Sequence, residues 1–213
     1  MPRPVPTPVY HFTPIAHLAT IIEHGLLCDT QAVALGLRSI DVGNRDIKAQ
    51  RRHRAVRAGP RGMIADYTPF YFAPRSPMMS AIHHGKVPEY TSGTESLVYL
   101  VTTVERLVEL DLSVVFTDRN AVLRHAHHTT DPGELDEIID WDLMAARIWR
   151  DTDAEPDRRE RRMAECLVHR RVPWEAIKCI ATCGLAQTTE TQRMLTHFRQ
   201  RVPVRTKPDW YFT

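Results

Sequence analysis

A carboxylate within a short apolar segment is the feature of this sequence that most constrains its fold. Glu165 lies in the strand-like run at residues 164–168, and arginine-rich segments precede and follow this run. A carboxylate that is buried without a partner is strongly destabilising. Glu165 therefore either has a structural partner or faces a cleft and takes part in chemistry.

Charge is distributed unevenly along the chain. The net charge is only +2, but residues 47–61 carry many cations and no acid, and residues 158–171 are rich in arginine. Acidic residues concentrate at 131–142 and 151–157. Two basic patches on a nearly neutral protein favour a local site for a polyanion. Two solvated helix faces would give the same pattern.

The composition is that of a globular protein without special stabilising devices. A chain of 213 residues with 43% apolar and 25% charged residues suits a single domain, which we place at residues 1–213. No apolar run is long enough to span a membrane, and the Pro-rich start lacks the apolar region of a secretory signal. We therefore expect a cytoplasmic protein with no membrane association and with reduced thiols.

Metal binding is not predicted. Cys179 and Cys183 are the only closely spaced cysteines, and no Cys/His pair follows them at zinc-finger spacing. His125, His127 and His128 do not converge on one point from either a helix or a strand.

Short strands with few helices predict an α+β fold. No βαβ alternation and no repeat is present. Strands are predicted at 9–13, 69–73, 96–102, 113–117, 164–168 and 177–182, with extended segments at 202–204 and 209–212. Helices are predicted at 15–24, 47–56, 104–109, 135–148 and 191–201, with a loop at 28–46.

Several side chains are candidates for ligand binding, each with a structural alternative. His11 and Thr13 lie two residues apart and face the same side of a strand, where they could bind an amide or a ribose or simply occupy a strand edge. Tyr71 alternates with core aromatics and could stack on a planar ligand. Arginines at 51, 52 and 54 would suit a pyrophosphate or a nucleic-acid backbone. No GxGxxG or Walker loop is present.

An ordered set of motifs resembles a known family. The set comprises Tyr10-His11-Phe12-Thr13, Gly25-Leu26-Leu27, Gln50-Arg51-Arg52, Asp66-Tyr67 with Pro69-Phe70-Tyr71-Phe72, Pro74-Arg75-Ser76-Pro77-Met78, Phe116-Thr117-Asp118-Arg119, and Arg162 with Ala164-Glu165 and Leu167-Val168. From about residue 9 to the C-terminus, the chain resembles the DarT toxins, which are the DNA ADP-ribosyltransferases of DarT–DarG toxin–antitoxin systems.

The resemblance implies both a fold and an activity. It implies an ADP-ribosyltransferase-like fold in which two small packed β-sheets with flanking helices enclose an NAD cleft. It also implies transfer of ADP-ribose from NAD to thymidine in single-stranded DNA, in a sequence-specific way and with release of nicotinamide. A DarG-like macrodomain antitoxin is the implied partner. We expect a monomer, because no apolar seam demands a dimer.

The resemblance also assigns roles to residues. It implies that His11, Phe12 and Thr13 hold the nicotinamide end of NAD, that Thr20, Cys28 and Tyr71 add contacts, and that residues 33–54 form the NAD-binding element. Glu165 would be the catalytic glutamate and Arg52 the catalytic arginine, with Arg51 as the alternative, and both arginines would contact NAD.

Recognition of the DNA is assigned to a second element. Residues 116–165 would read the substrate, and Arg75, Arg119 and Arg147 would hold the DNA backbone. Asn120 stands where relatives can carry a histidine.

Two other classes of function remain alternatives. The same fold could modify RNA or protein, or the arginine-rich segments could make a non-catalytic nucleic-acid-binding module. Cleavage of the nicotinamide–ribose bond builds positive charge on the ribose, and a carboxylate such as Glu165 would stabilise that charge. A binding module would not need Glu165.

Overall fold

One eight-stranded sheet and one two-stranded sheet make up the β-structure of the computed structural model, which describes residues 1–37 and 40–212. The strands are β1 (Pro8–Pro14), β2 (Leu26–Leu27), β3 (Tyr67–Tyr71), β4 (Leu97–Thr103), β5 (Val114–Thr117), β6 (His128–Thr129), β7 (Glu165–His169), β8 (Arg171–Val172), β9 (Cys179–Thr182) and β10 (Val204–Thr206). The large sheet has the order β10-β9-β4-β1-β3-β7-β5-β6, and β2 pairs with β8. Among the described strands, β9 and β10 are the one pair that runs parallel.

Helices flank both faces of the large sheet. They are α1 (Leu18–His24), α2 (Asp29–Ala34), α3 (Arg45–His53), α4 (Pro77–His83), α5 (Val104–Glu109), α6 (Leu135–Ile138), α7 (Trp141–Ala145), α8 (Arg158–Arg161) and α9 (Leu185–His197). The prediction of an α+β fold is therefore confirmed. Among the described residues, no helix has the length and apolar character that crossing a membrane requires.

The large sheet consists of two halves that are joined at one narrow point. β1 pairs with β4 along its whole length, and β3 pairs in the same way with β7. β1 and β3, in contrast, pair only through Tyr10 and Tyr71. The predicted cleft between two small sheets corresponds to this divergence, with the difference that hydrogen bonding joins the two halves into one sheet.

Pro69 explains why the pairing of β1 with β3 stops. The carbonyl oxygen of Pro69 accepts a hydrogen bond from the side chain of His11 on β1. The amide nitrogen and the carbonyl of one strand residue point to the same side. The nitrogen of Pro69, which carries no hydrogen, therefore faces β1 and cannot donate to it. The backbone of β1 is free to diverge from β3 at this point.

Alternation along β7 places Glu165 and its neighbours on different faces. Cys166 and Val168 belong to the main core beneath helices α1, α5 and α9, whereas Leu167 packs on the opposite face against Tyr67. Glu165 lies on the same face as Leu167, because side chains two residues apart in a strand point the same way. The apolar run around the carboxylate thus reflects burial on both faces of the sheet.

Several predicted boundaries were wrong. The predicted loop at 28–46 contains α2, which buries no side chain and so has no apolar period to reveal it. The predicted helix at 135–148 is two short helices, because the Asp140 side chain accepts from the amide of Leu143 and starts a new helix. Helix α9 begins earlier than predicted, and Pro208–Trp210 forms a 3-10 turn where an extended segment was predicted.

Arg162 joins three segments near the start of β7. Its guanidinium is 3% exposed and donates to the carbonyl oxygens of Leu143, Met144, Ala146 and Pro74, at distances of 2.5–3.2 Å. Burial lowers the pKa of Arg162 to about 10, so the side chain is still charged at neutral pH. A cation that caps the last carbonyls of α7 also interacts favourably with the helix dipole.

We predict that Arg162→Met destabilises the fold strongly, because four carbonyl groups lose a charged donor in a buried site. The expected loss in the free energy of unfolding is roughly 3 kcal/mol. Arg159→Met is the matched control, because Arg159 is exposed and its loss should cost less than about 0.5 kcal/mol. Urea unfolding of both variants measures the difference, and equal midpoints would contradict the role of Arg162.

Candidate active site

A cavity of about 600 Å³ opens where β1 and β3 diverge. Its walls come from the end of β1, from α1, from residues 40–44, from α3, from the start of α4 and from the residues just before β7. The cavity is large enough for a dinucleotide-sized ligand.

Glu165 lies in the wall of this cavity and is 2% exposed. Its Oε1 accepts from the guanidinium of Arg51 at 2.8 Å, and its Oε2 accepts from the amide of Ala121 at 3.2 Å. In the sheet it pairs with Tyr71 on one side and with Thr117 on the other. The carboxylate is therefore held in one orientation by a cation and a backbone amide, at a position that a ligand in the cavity can reach.

The structure brings Arg51 and not Arg52 to Glu165. The Arg51 side chain is 15% exposed and lines the cavity, whereas the Arg52 side chain is 49% exposed, does not line the cavity and contacts Asp29 at 3.3 Å. Consecutive residues of α3 point about 100° apart, so only one of the two arginines can face β7. The geometry replaces Arg52 with Arg51, the alternative named from the sequence, as the candidate for the catalytic arginine.

His11 is held by Pro69 across the divergence of the two strands. The ring donates from Nδ1 to the carbonyl oxygen of Pro69 at 2.7 Å. The pKa of His11 is lowered to about 4, mainly by burial and in smaller part by the nearby His17 and Arg51, against the raising effect of the hydrogen bond to Pro69. The ring is therefore neutral at pH 7, and Nε2 is a hydrogen-bond acceptor.

Most of the residues proposed to bind NAD line the cavity. They are His11, Phe12, Thr13, Thr20, Arg51 and Tyr71. Cys28 does not line it. Its side chain is 1% exposed and the residue precedes α2, and burial raises the pKa of its thiol. Tyr71 is 8% exposed, and burial raises the pKa of its hydroxyl far above the normal value.

The two predicted elements contribute unequally to the walls. From residues 33–54 the cavity receives Leu37, residues 40–44, Ile47, Lys48 and Arg51, while Arg38 and Ser39 lie outside the described residues. From residues 116–165 it receives Asn120, Arg159, Met163 and Glu165. Asn120 is held in place because its side-chain oxygen accepts from the amide of Val122 at 3.2 Å.

Sequence reasoning missed several polar residues of the cavity, among them Lys48, His17 and Arg159. Lys48 binds Asp41 at 2.6 Å and Asp29 at 3.1 Å, which ties α3 to α2 and to residues 40–44. His17 lies in the 3-10 turn that follows β1. Arg159 is an exposed residue that lines the cavity together with Met163. The four-residue spacing of Thr13 and His17, which contact each other in the structure, is the sequence feature that could have identified His17 as a residue of the site.

The three arginines proposed for DNA differ in how much of their charge is available. Arg119 is 17% exposed and lies near the carboxylates of Asp118, Asp157 and Glu160, so its charge is compensated within the protein. Arg147 is exposed. Arg75 stacks on the ring of Phe212 at 4.1 Å and has a positive φ of 56°. Burial and then the nearby Arg147 lower the pKa of Arg75, which places two cations close together.

In the described part of the chain no group of three or more His, Cys, Asp or Glu side chains could hold a metal ion. The histidines at 125 and 127 instead contact single carboxylates, those of Glu160 and Glu134.

The fold is that of an ADP-ribosyltransferase. The structure described as Thermus sp. 2.9 DarT in complex with ADP-ribosylated ssDNA matches this one with a TM-score of 0.92 and 35% identity, covering 100% of both chains. The structure of Thermus sp. 2.9 DarT in complex with NAD+ matches with a TM-score of 0.86 and 35% identity, covering 98% of this chain and 99% of that chain.

Sequence comparison identifies the family. A family model described as "ssDNA thymidine ADP-ribosyltransferase, DarT" matches residues 10–212. The DNA ADP-ribosyl transferase of Thermus sp. (strain 2.9) is 37% identical over 213 residues, which cover 98% of each chain. The chain belongs to the DarT family, as its resemblance in sequence implied.

We predict that His11 makes stability depend on pH. Its folded pKa of about 4 lies below the unfolded value of about 6.5, so between these values the unfolded state binds more protons. The free energy of unfolding should therefore fall as the pH drops from about 6.5 to about 4, by on the order of 3 kcal/mol from this group at most.

The variant His11→Asn tests this prediction, because an amide can still donate to Pro69 but does not titrate. The comparison concerns the slope of stability against pH, since His128, with a pKa lowered to about 4, remains in both proteins. Denaturant unfolding across this range should show a shallower slope for the variant. Equal slopes would show that His11 is not buried as a neutral ring.

Proposed function

We infer that this chain transfers ADP-ribose from NAD to thymidine in single-stranded DNA and releases nicotinamide. The observation that carries the inference is the buried Arg51–Glu165 pair in the wall of a dinucleotide-sized cavity, in a chain of the DarT family. In the reaction, nicotinamide leaves with the bonding electron pair. Thymine N3 then bonds to the ribose C1′, and its proton passes to the solvent.

The residues of the cavity fit NAD as the co-substrate. Polar atoms of His17 and Arg51 are buried there without a protein partner among the described residues, as expected where a polar ligand completes the hydrogen bonding. The neutral Nε2 of His11 can accept from the carboxamide group of nicotinamide. Phe12, Thr13, Thr20 and Tyr71 would complete the contacts.

Glu165 is assigned to the ribose of NAD. Departure of nicotinamide leaves an oxocarbenium-like ribose, and a carboxylate held beside it stabilises that positive charge. Its bonds to Arg51 and Ala121 fix its orientation before the substrate binds. Such preorganisation avoids the cost of reorienting a polar group during the reaction.

Arg51 is assigned to the thymine base. One guanidinium nitrogen is used by Glu165, and Nη2 is buried without a protein partner among the described residues. Loss of the N3 proton places negative charge on the thymine carbonyl oxygens, and a fixed cation stabilises that charge. An arginine side chain is too weak an acid to act as the base in its ordinary state.

Single-stranded DNA is the proposed substrate because the edge of a base must enter the cavity, which duplex pairing prevents. Arg75 and Arg147 are proposed to hold its backbone, since the two cations lie close together. Arg119, whose charge is compensated internally, is proposed to order the substrate-reading element at residues 116–165 instead.

The biological setting follows from the family and remains a proposal. We propose that the chain acts as the toxin of a toxin–antitoxin pair, that a DarG-like macrodomain antitoxin opposes it, and that it works in the cytoplasm as a single-domain monomer without a metal. Expression in cells should arrest growth for the wild type. A Glu165→Ala variant that arrested growth equally would favour a non-catalytic binding module.

We predict that Glu165→Gln lowers kcat for labelling of DNA by about 1000-fold, and that Arg51→Gln lowers it by about 100-fold. Arg52→Gln is the matched control and should stay within about threefold, because Arg52 does not line the cavity and has no contact with Glu165 among the described residues. The assay follows labelled NAD onto oligonucleotides with and without thymine. Label on RNA or protein but not on DNA would instead support the alternative substrate class.

We predict that Arg147→Gln weakens binding of single-stranded DNA and lowers the slope of log affinity against log salt by about 0.7, which is the value for one phosphate contact. The KM for NAD should not change, because Arg147 does not line the cavity. Arg119→Gln should instead lower the melting temperature. A salt slope that Arg147→Gln leaves unaltered would remove this residue from the DNA site.

A further inference from the structure

Two polar atoms in the cavity wall are buried without a protein partner in the described part of the chain. They are Nη2 of Arg51 and Nε2 of His17. A buried donor without a partner is destabilising, and such atoms are rare in folded proteins. The transfer reaction explains the buried Nη2 of Arg51, because Arg51 also contacts Glu165. The other nitrogen of His17 contacts Thr13, but no part in the reaction has been assigned to Nε2.

The fold fixes the position of the His17 ring. Pro14 ends β1, and the 3-10 turn Ile15–His17 that follows brings His17 back over the end of the strand. The ring nitrogen Nδ1 then lies 3.1 Å from the hydroxyl oxygen of Thr13. With one nitrogen engaged by Thr13, the other nitrogen lies in the cavity wall.

The partner of Nδ1 determines what Nε2 can do. The Thr13 side chain is buried, and His17 Nδ1 is the partner that the structure gives to its hydroxyl. The hydroxyl hydrogen has no other acceptor among the described residues, whereas a hydrogen on Nε2 lies in the cavity wall, where a ligand can accept it, so we assign the hydroxyl as the donor to Nδ1. Burial, followed by the nearby Lys48, lowers the pKa of His17, so the ring is neutral and carries its one hydrogen on Nε2.

We propose that His17 is a further NAD-binding residue, and that its Nε2–H donates a hydrogen bond to an oxygen atom of NAD. This inference rests on the proposed function, in which NAD occupies the cavity. His17 thus complements His11. The ring of His11 presents an acceptor to the cavity because its Nδ1 donates to Pro69, and the ring of His17 presents a donor because its Nδ1 accepts from Thr13.

Two substitutions separate the two nitrogen atoms of His17. In His17→Asn the amide can take the position of Nδ1 and keep the contact with Thr13, but nothing replaces Nε2. In His17→Gln the longer side chain can place an N–H donor where Nε2 was. We expect the KM for NAD to rise about fivefold in His17→Asn and to stay within about twofold of the wild-type value in His17→Gln. The KM for single-stranded DNA should not change in either variant.

A measurement without turnover checks the same point. The melting temperature of the protein without DNA is recorded with and without NAD. His17→Asn should melt close to the wild type when free, because the bond with Thr13 is kept, and it should gain less from NAD. A structural role for His17 would instead lower the free melting temperature and leave the NAD affinity unchanged.

The inference and the proposed function fail in different ways. Equal KM for NAD in the wild type and in His17→Asn would overturn the inference, and so would an equal rise in both variants. Absence of label on DNA with the wild-type enzyme would overturn the proposed function. NAD binding that depends on His17 would in that case still support the contact.

Discussion

The buried ion pair between Arg51 and Glu165 is the interaction on which the arrangement of the cavity depends. It joins helix α3 to strand β7 across 114 positions of the sequence, so one wall of the cavity is held to the opposite one. Removing one partner of a buried pair leaves an uncompensated charge, which is strongly destabilising. The position of α3, and with it the contacts of Lys48 to α2 and to residues 40–44, therefore follows from the pair.

The pair has room for a ligand only because the sheet opens beside it. Pairing between β1 and β3 is confined to Tyr10 and Tyr71, and Pro69 prevents it from continuing toward Thr13. The imidazole of His11 instead donates a hydrogen bond to the carbonyl oxygen of Pro69, to which a backbone amide of β1 would otherwise donate. One proline thus ends the ladder, opens the cavity and fixes the tautomer of a histidine within it.

The sequence predicted those features that depend on local pattern. The α+β class and the strands around Phe12, Leu100 and Glu165 follow from runs of apolar residues, and a carboxylate in such a run already indicates a site. The choice between Arg51 and Arg52 was not predictable, because it depends on which face of α3 turns toward β7. The internal role of Arg119 was not predictable either, since its partner Asp157 is far away in sequence.

The free protein carries a cost that its ligand can remove. Nη2 of Arg51 and Nε2 of His17 have no protein partner among the described residues and gain nothing for the fold, yet the surrounding bonds to Glu165 and Thr13 hold them in place. A ligand that satisfies both atoms binds the native state and not the unfolded chain, so it must raise stability by linkage. Unsatisfied polar groups in a well-packed wall lower the stability of the free protein. They thus mark the positions at which the local structure favours ligand binding over maximal stability. Because each is oriented by a second residue, the wall needs little rearrangement when the ligand enters, and more of the interaction energy remains available as affinity.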